Sequence, residues 1–127
     1  MSVRQAVSTA RAPKAIGPYS QAIRSGDLLF VSGQVPIDPA TGQMIPGGIR
    51  EQTQQVLSNI GEILKAAGGA YANVVRTTVF LADLNDFIAM NEVYGTFFEP
   101  PQPARSTVQA ARLPRDSRIE IDVIASL

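Results

Sequence analysis

An arginine and a glutamate, Arg105 and Glu120, sit in the segment PARSTVQAARLPRDSRIEID at residues 103–122. The segment reads as two β-strands around a Leu113–Pro114 turn. An arginine keeps its charge at any physiological pH and grips a carboxylate with a planar fork of donors. A glutamate nearby holds a water or exchanges a proton with it. Backbone N–H groups at Ser32–Gly33, where glycine admits a ligand closely, would add donors. Such a set suits a small anionic substrate attacked by water. A strand arginine and glutamate also fit a plain ion pair at a surface or interface, and the residues alone leave both readings open.

The rest of the composition narrows the chemistry. The 127 residues contain no Cys and no His. That removes disulfides, thiol nucleophiles, Ser-His and Cys-His catalysis and the usual zinc sites. What remains is carboxylates, arginine, oriented water and an already reactive substrate. Acidic and basic residues balance at 11 each, so nothing in the net charge points to nucleic acid. No run of about 18 apolar residues would span a membrane, and the N-terminus lacks the apolar stretch of a secretory signal. The chain reads as cytoplasmic and, at this length, as one domain over residues 1–127.

The elements that must position these residues follow from periodicity. Residues 3–7, 20–25 and 28–35 read as strands, and PIDPATGQMIPGG as turn chemistry throughout. From Ile49 to about Ala67, Val56, Leu57, Ile60, Ile63 and Leu64 share one helical face, and Gly68–Gly69 ends it. NVVRTTVFLAD reads as a buried strand. Asp83 is placed to cap a second helix whose Phe87, Met90, Tyr94 and Phe97 would form a core stripe. Two amphipathic helices suffice for one face of a sheet, which gives a two-layer α+β domain. In the last strand Ile119, Ile121, Val123, Ala125 and Leu127 form the core set. The alternate set, Arg118, Glu120, Asp122, Ile124 and Ser126, is too polar for a core and favours an oligomer interface that contains a site.

If the two final strands formed a direct hairpin, Arg105 and Glu120 would stand roughly 20 Å apart along it, at about 3.3 Å per residue. One small acid cannot bridge that. Either the strands are not hairpin partners or the two residues meet across a subunit boundary.

The P-A-R-S-x-V and I-E-I motifs, with IGPYSQA at 16–22, VSGQVP at 31–36, NVVRTTVFLADLNDF at 73–87 and Asn91–Glu92–Val93–Tyr94, resemble the RidA/YjgF family of reactive intermediate (imine) deaminases. The blocks occur in family order over nearly the whole chain. The resemblance implies a chorismate-mutase-like subunit, with a mixed sheet and two helices on one face, assembled as a homotrimer with sites between subunits. It implies hydrolysis of 2-imino acids, which arise from enamines released by pyridoxal-phosphate-dependent dehydratases, to 2-oxo acids and ammonia without a cofactor or metal. It places the substrate carboxylate on Arg105 and the water on Glu120, with Tyr19, Ser32, Gly33, Asn91 and Thr107 around the pocket. Thr107 stands where many relatives carry Cys, and the Phe98–Arg105 loop is shorter than in several of them. A non-catalytic sensor of 2-oxo or amino acids would use the same arginine. An endoribonuclease or translation inhibitor, activities described for some members, finds little support in a neutral chain without His.

Overall fold

The computed structural model describes residues 3–127. Its main helix, α1 (Ile49–Ala66), starts where Gly48 leaves the extended region and its N–H donates to the Glu51 carboxylate at 2.9 Å. It stops where Gly68 takes φ +85 and the Gly69 N–H returns to the Leu64 carbonyl at 2.8 Å. Between these ends Val56, Leu57, Ile60, Ile63 and Leu64 are fully buried. At about 1.5–3 kcal/mol for each large apolar side chain, this stripe is the main reason the helix holds its place.

The stripe lies on a six-stranded sheet formed by β1 (Gln5–Val7), β2 (Ala22–Ser25), β3 (Leu28–Gln34), β6 (Val74–Leu81), β7 (Ala104–Gln109) and β8 (Ile119–Ser126). The order across it is β1-β2-β3-β8-β6-β7, and among the described residues β6 with β7 is the only parallel pair. The second helix, α2 (Phe87–Tyr94), packs beside α1 on the same face. The two-layer α+β arrangement expected from the sequence is therefore what forms. The segment 36–48 departs from the all-turn expectation: Ile37–Asp38 (β4) and Gln43–Met44 (β5) pair as a small hairpin. The Asn59 side chain of α1 donates to the Ile37 carbonyl at 2.9 Å and ties the hairpin down.

β7 and β8 are not hairpin partners. β6 lies between them, with Thr77 beside Arg105 on one side and Phe80 opposite Glu120 on the other. Strand alternation then separates the two charged residues. Thr77, Val79 and Leu81 face the helices with Ile119, Ile121, Val123 and Ala125, all buried. Arg105 and Thr107 share that helix side by register. Glu120, Asp122 and Ile124 point the other way, with Thr78, Phe80 and Phe30. No helix among the described residues covers this second face, and Leu28, Phe30 and Val108 remain exposed on it. None of the helices is long and apolar enough to cross a membrane, among the described residues.

Candidate active site: two half-sites on opposite faces of the sheet

Arg105 stands on the edge strand β7, beneath α2. Its guanidinium carbon lies 4.8 Å from the centre of the Tyr94 ring and 5.6 Å from that of Phe87. Both aromatics attract the cation through their ring faces. Tyr94 is itself fixed, because its hydroxyl shares a buried 2.8 Å hydrogen bond with Thr77. No carboxylate lies within ion-pair distance of Arg105 among the described residues. A cavity of about 420 Å³ opens beside it, lined by Asn91, Tyr94, Gln102, Pro103 and Arg105. Asn91 Oδ1 and Thr107 Oγ1 are buried without a hydrogen-bond partner among the described residues. Asn91 lines the cavity with the arginine, and Thr107 stands two residues along β7 on the same side of the sheet. Buried polar atoms without a partner call for an explanation, and a bound ligand is one.

This geometry revises two expectations. The stripe Phe87, Met90, Tyr94 and Phe97 is not core throughout. Met90 and Tyr94 are buried, Phe97 follows the end of α2, and Phe87 is 38% exposed because it covers the arginine instead. Asp83 does accept a backbone hydrogen bond, from Asn85 at 2.9 Å, but it caps a single 3-10 turn at Leu84–Asp86 that leads into α2. Phe87 and Tyr94, expected from the sequence only as members of the core stripe, are the residues that stack on Arg105. Their seven-residue spacing on one helix, close to two turns, was the available signal.

Glu120 belongs to the other half. It faces Gly33 in the register gap of β3 between the Val31–Val123 and Gln34–Ile121 pairs. The fit is tight: a Cβ built on Gly33 would lie 2.9 Å from the Glu120 Cδ and closer still to its Oε2. Glycine is needed here for approach, not for an unusual φ. Burial, and then the neighbouring Asp122 carboxylate, hold the Glu120 carboxyl above the ordinary glutamate range. Asp122 is also pushed up by burial, against the hydrogen bond from Thr78 and the Arg76 guanidinium.

Ser32 fastens this half together. Its N–H donates to the Gln21 carbonyl at 2.9 Å and its hydroxyl to the Ser20 carbonyl at 2.6 Å. These bonds hold the loop carrying Tyr19 against β3, and leave Gly33 as the member of the pair that faces Glu120. Tyr19 is 52% exposed, with its hydroxyl accepting from the Ile16 N–H at 3.4 Å. Tyr19 and Gly33 line one cleft of about 280 Å³, together with Lys14, Gln21, Gln34 and Arg115. The structure thus gathers the sequence-predicted residues into two groups: Arg105, Asn91 and Thr107 under α2, and Tyr19, Ser32, Gly33 and Glu120 around β3 and β8.

A family model described as Endoribonuclease L-PSP matches residues 9–127. Over 97% of its length the chain is 54% identical to 2-iminobutanoate/2-iminopropanoate deaminase of Mus musculus, covering 91% of that protein. It is 52% identical to Reactive Intermediate Deaminase A, chloroplastic, of Arabidopsis thaliana, across 98% of this chain and 66% of that one. Among solved structures, E. coli TdcF with bound serine superposes with a TM-score of 0.92 at 44% identity, covering 97% of this chain and 99% of that one. Similarity of this extent, over nearly the whole chain, places it in the RidA/YjgF family.

Proposed function

We propose that the protein is a 2-iminobutanoate/2-iminopropanoate deaminase, a cofactor-independent hydrolase of C=N bonds. The observation that carries this reading is the Arg105 guanidinium, clamped by Phe87 and Tyr94, unpaired among the described residues and open to a cavity that Asn91 also lines. The imine chemistry itself comes from the names of the relatives. Arg105 holds the substrate carboxylate with two charge-assisted hydrogen bonds. Glu120, made more basic by burial, takes a proton from water as the water oxygen adds to the C=N carbon. Returning that proton to nitrogen completes the carbinolamine; its hydroxyl proton then passes to nitrogen as the C=O forms and the C–N bond breaks, releasing ammonia and the 2-oxo acid. Thr107 leaves no thiol for covalent catalysis, and none is required, because an imine carbon is already electrophilic.

One copy turns its two halves to opposite faces of its sheet. A homotrimer of this single-domain chain resolves that. Each copy would offer its Arg105 half to the Gly33–Glu120 half of the next, in a closed head-to-tail ring, and the ring would cover Leu28, Phe30 and Val108. The substrate's source is a pyridoxal-phosphate-dependent dehydratase, whose enamine product tautomerises to the imine. A purely binding role is the second reading, favoured by the serine held in TdcF. A coupled assay separates them. With imine generated by a dehydratase, the hydrolase accelerates imine loss and oxo-acid release, whereas a sensor binds oxo acid and leaves the rate at background.

A further inference from the structure

The cleft on the Gly33 side carries a feature the deaminase reading does not use. Lys14 and Arg115 both line it, and among the described residues no carboxylate does. Neither cation has an ion-pair partner among the described residues, where the two pairs are Arg50–Glu92 and Arg112–Asp116. Arg115 is also held in an unusual way. It and Asp116 take left-handed backbone angles in succession, φ 57 and 56, which non-glycine residues rarely adopt. Four contacts hold the turn. The Asp116 and Ser117 N–H groups donate to the Leu113 and Pro114 carbonyls at 3.1 Å each. Arg112 grips the Asp116 carboxylate at 2.8 and 3.3 Å, and one Arg115 nitrogen donates to the Gly42 carbonyl of the β4–β5 hairpin at 3.1 Å. That last bond uses one donor of five and leaves the rest of the fork available at the cleft mouth.

We propose that Arg115, assisted by Lys14, forms a second anion subsite that receives the distal carboxylate of a dicarboxylic 2-imino acid. The inference rests on the deaminase reading and extends it to substrate choice. A substrate anchored at one end by Arg105 of one copy points its side chain past Gly33 and Glu120 into the cleft of the next. An alkyl side chain of one or two carbons ends there without touching either cation. A side chain ending in a carboxylate meets a fork suited to it, with Lys14 adding a point charge. The two cations also offset the repulsion that Glu120 exerts on a second negative charge.

The test uses the full-length protein and imines made in place by amino-acid oxidases, from alanine and 2-aminobutyrate for the neutral series and from aspartate for the dicarboxylic one. Semicarbazide traps the imine, so deaminase activity is read as suppressed semicarbazone formation. Glycine adopts φ 57 without strain, so Arg115→Gly removes the side chain, and with it the Gly42 bond, while the backbone of the turn stays unstrained and its other three contacts remain. Arg115→Gly should weaken acceleration of the aspartate-derived imine about tenfold, the low end for a lost charge-assisted hydrogen bond at an open site. Turnover of the neutral imines should stay within about twofold. Arg115→Lys should recover part of the loss, and Lys14→Ala should give a smaller selective loss. The subsite is overturned if wild type accelerates neutral imines but not the dicarboxylic one, or if Arg115→Gly lowers both series equally or neither. Failure of the wild type on every imine would instead remove the deaminase reading itself.

Discussion

Arg105 and Glu120 occupy opposite faces of one sheet, and the two faces treat their charges differently. On the helix side the arginine is assembled within a single chain: Tyr94 and Phe87 stack on it, and Thr77 fixes Tyr94. On the other side the glutamate is half-buried against Gly33, beside a second carboxylate, on a surface that no helix of the described residues covers. The difference fits the roles proposed for the two groups. A permanent cation works through geometry, so packing alone prepares it. In the proposed reaction a carboxylate that accepts a proton works through its environment, and partial burial beside Asp122 raises its pKa.

The largest expected effect bears on the tuned half. Glu120→Gln keeps size and some hydrogen bonding but removes the basic oxygen, so imine turnover should fall by about 10²–10⁴-fold, limited below by the uncatalysed reaction. Binding of a 2-oxo acid, measured by calorimetry, should change far less. Wild-type turnover in this variant would assign Glu120 a structural role. On the prepared half, Arg105→Lys retains charge and loses the fork. Two charge-assisted hydrogen bonds at about 1.5 kcal/mol each put the loss near a hundredfold, close to that of Arg105→Ala. A lysine variant with full activity would mark Arg105 as a structural cation.

Combining the two halves gives a sharper comparison. If each cleft takes its arginine from one copy and its glutamate from the next, refolding Arg105→Ala and Glu120→Gln chains together should restore activity. Random mixing in a head-to-tail ring leaves about a quarter of the clefts with both residues intact. Native mass spectrometry of the mixture should show trimers, and inactive mixed trimers would contradict a shared cleft.

The pH dependence separates the halves more gently. The folded pKa of Glu120 lies above its ordinary value, so across the interval between the two the folded chain holds more proton than the unfolded one. Stability therefore falls as pH rises through that interval, while activity rises as the base ionises. Asp122→Asn removes the neighbouring charge and should move the midpoint of the activity profile to lower pH. Arg105→Lys should leave that midpoint in place. The smallest effect is on stability: Tyr94→Phe strips the partner from the buried Thr77 hydroxyl, costing about 1–3 kcal/mol in urea unfolding at fixed protein concentration. It should loosen Arg105 and leave the pH midpoint unchanged.

The sequence by itself determined a good part of this. The 3.6-residue spacing from Val56 to Leu64 placed α1, and alternation in Ile119–Ser126 sorted core from open face, because burying an amphipathic element is a local pattern problem. The absence of Cys and His confined the chemistry to carboxylates, arginine and water, and short motifs named the family. Strand order was not legible. Nothing near Arg105 or Glu120 signals that β6 inserts between their strands, since pairing is decided by contacts far apart in sequence. That insertion, with the parity it imposes, sends the two residues to opposite faces. The Phe87–Arg105–Tyr94 stack and the Arg115–Gly42 contact likewise join segments that only the folded chain brings together. Composition and period are properties of neighbours along the chain, whereas a site is a property of neighbours in space, and only the tertiary structure decided those.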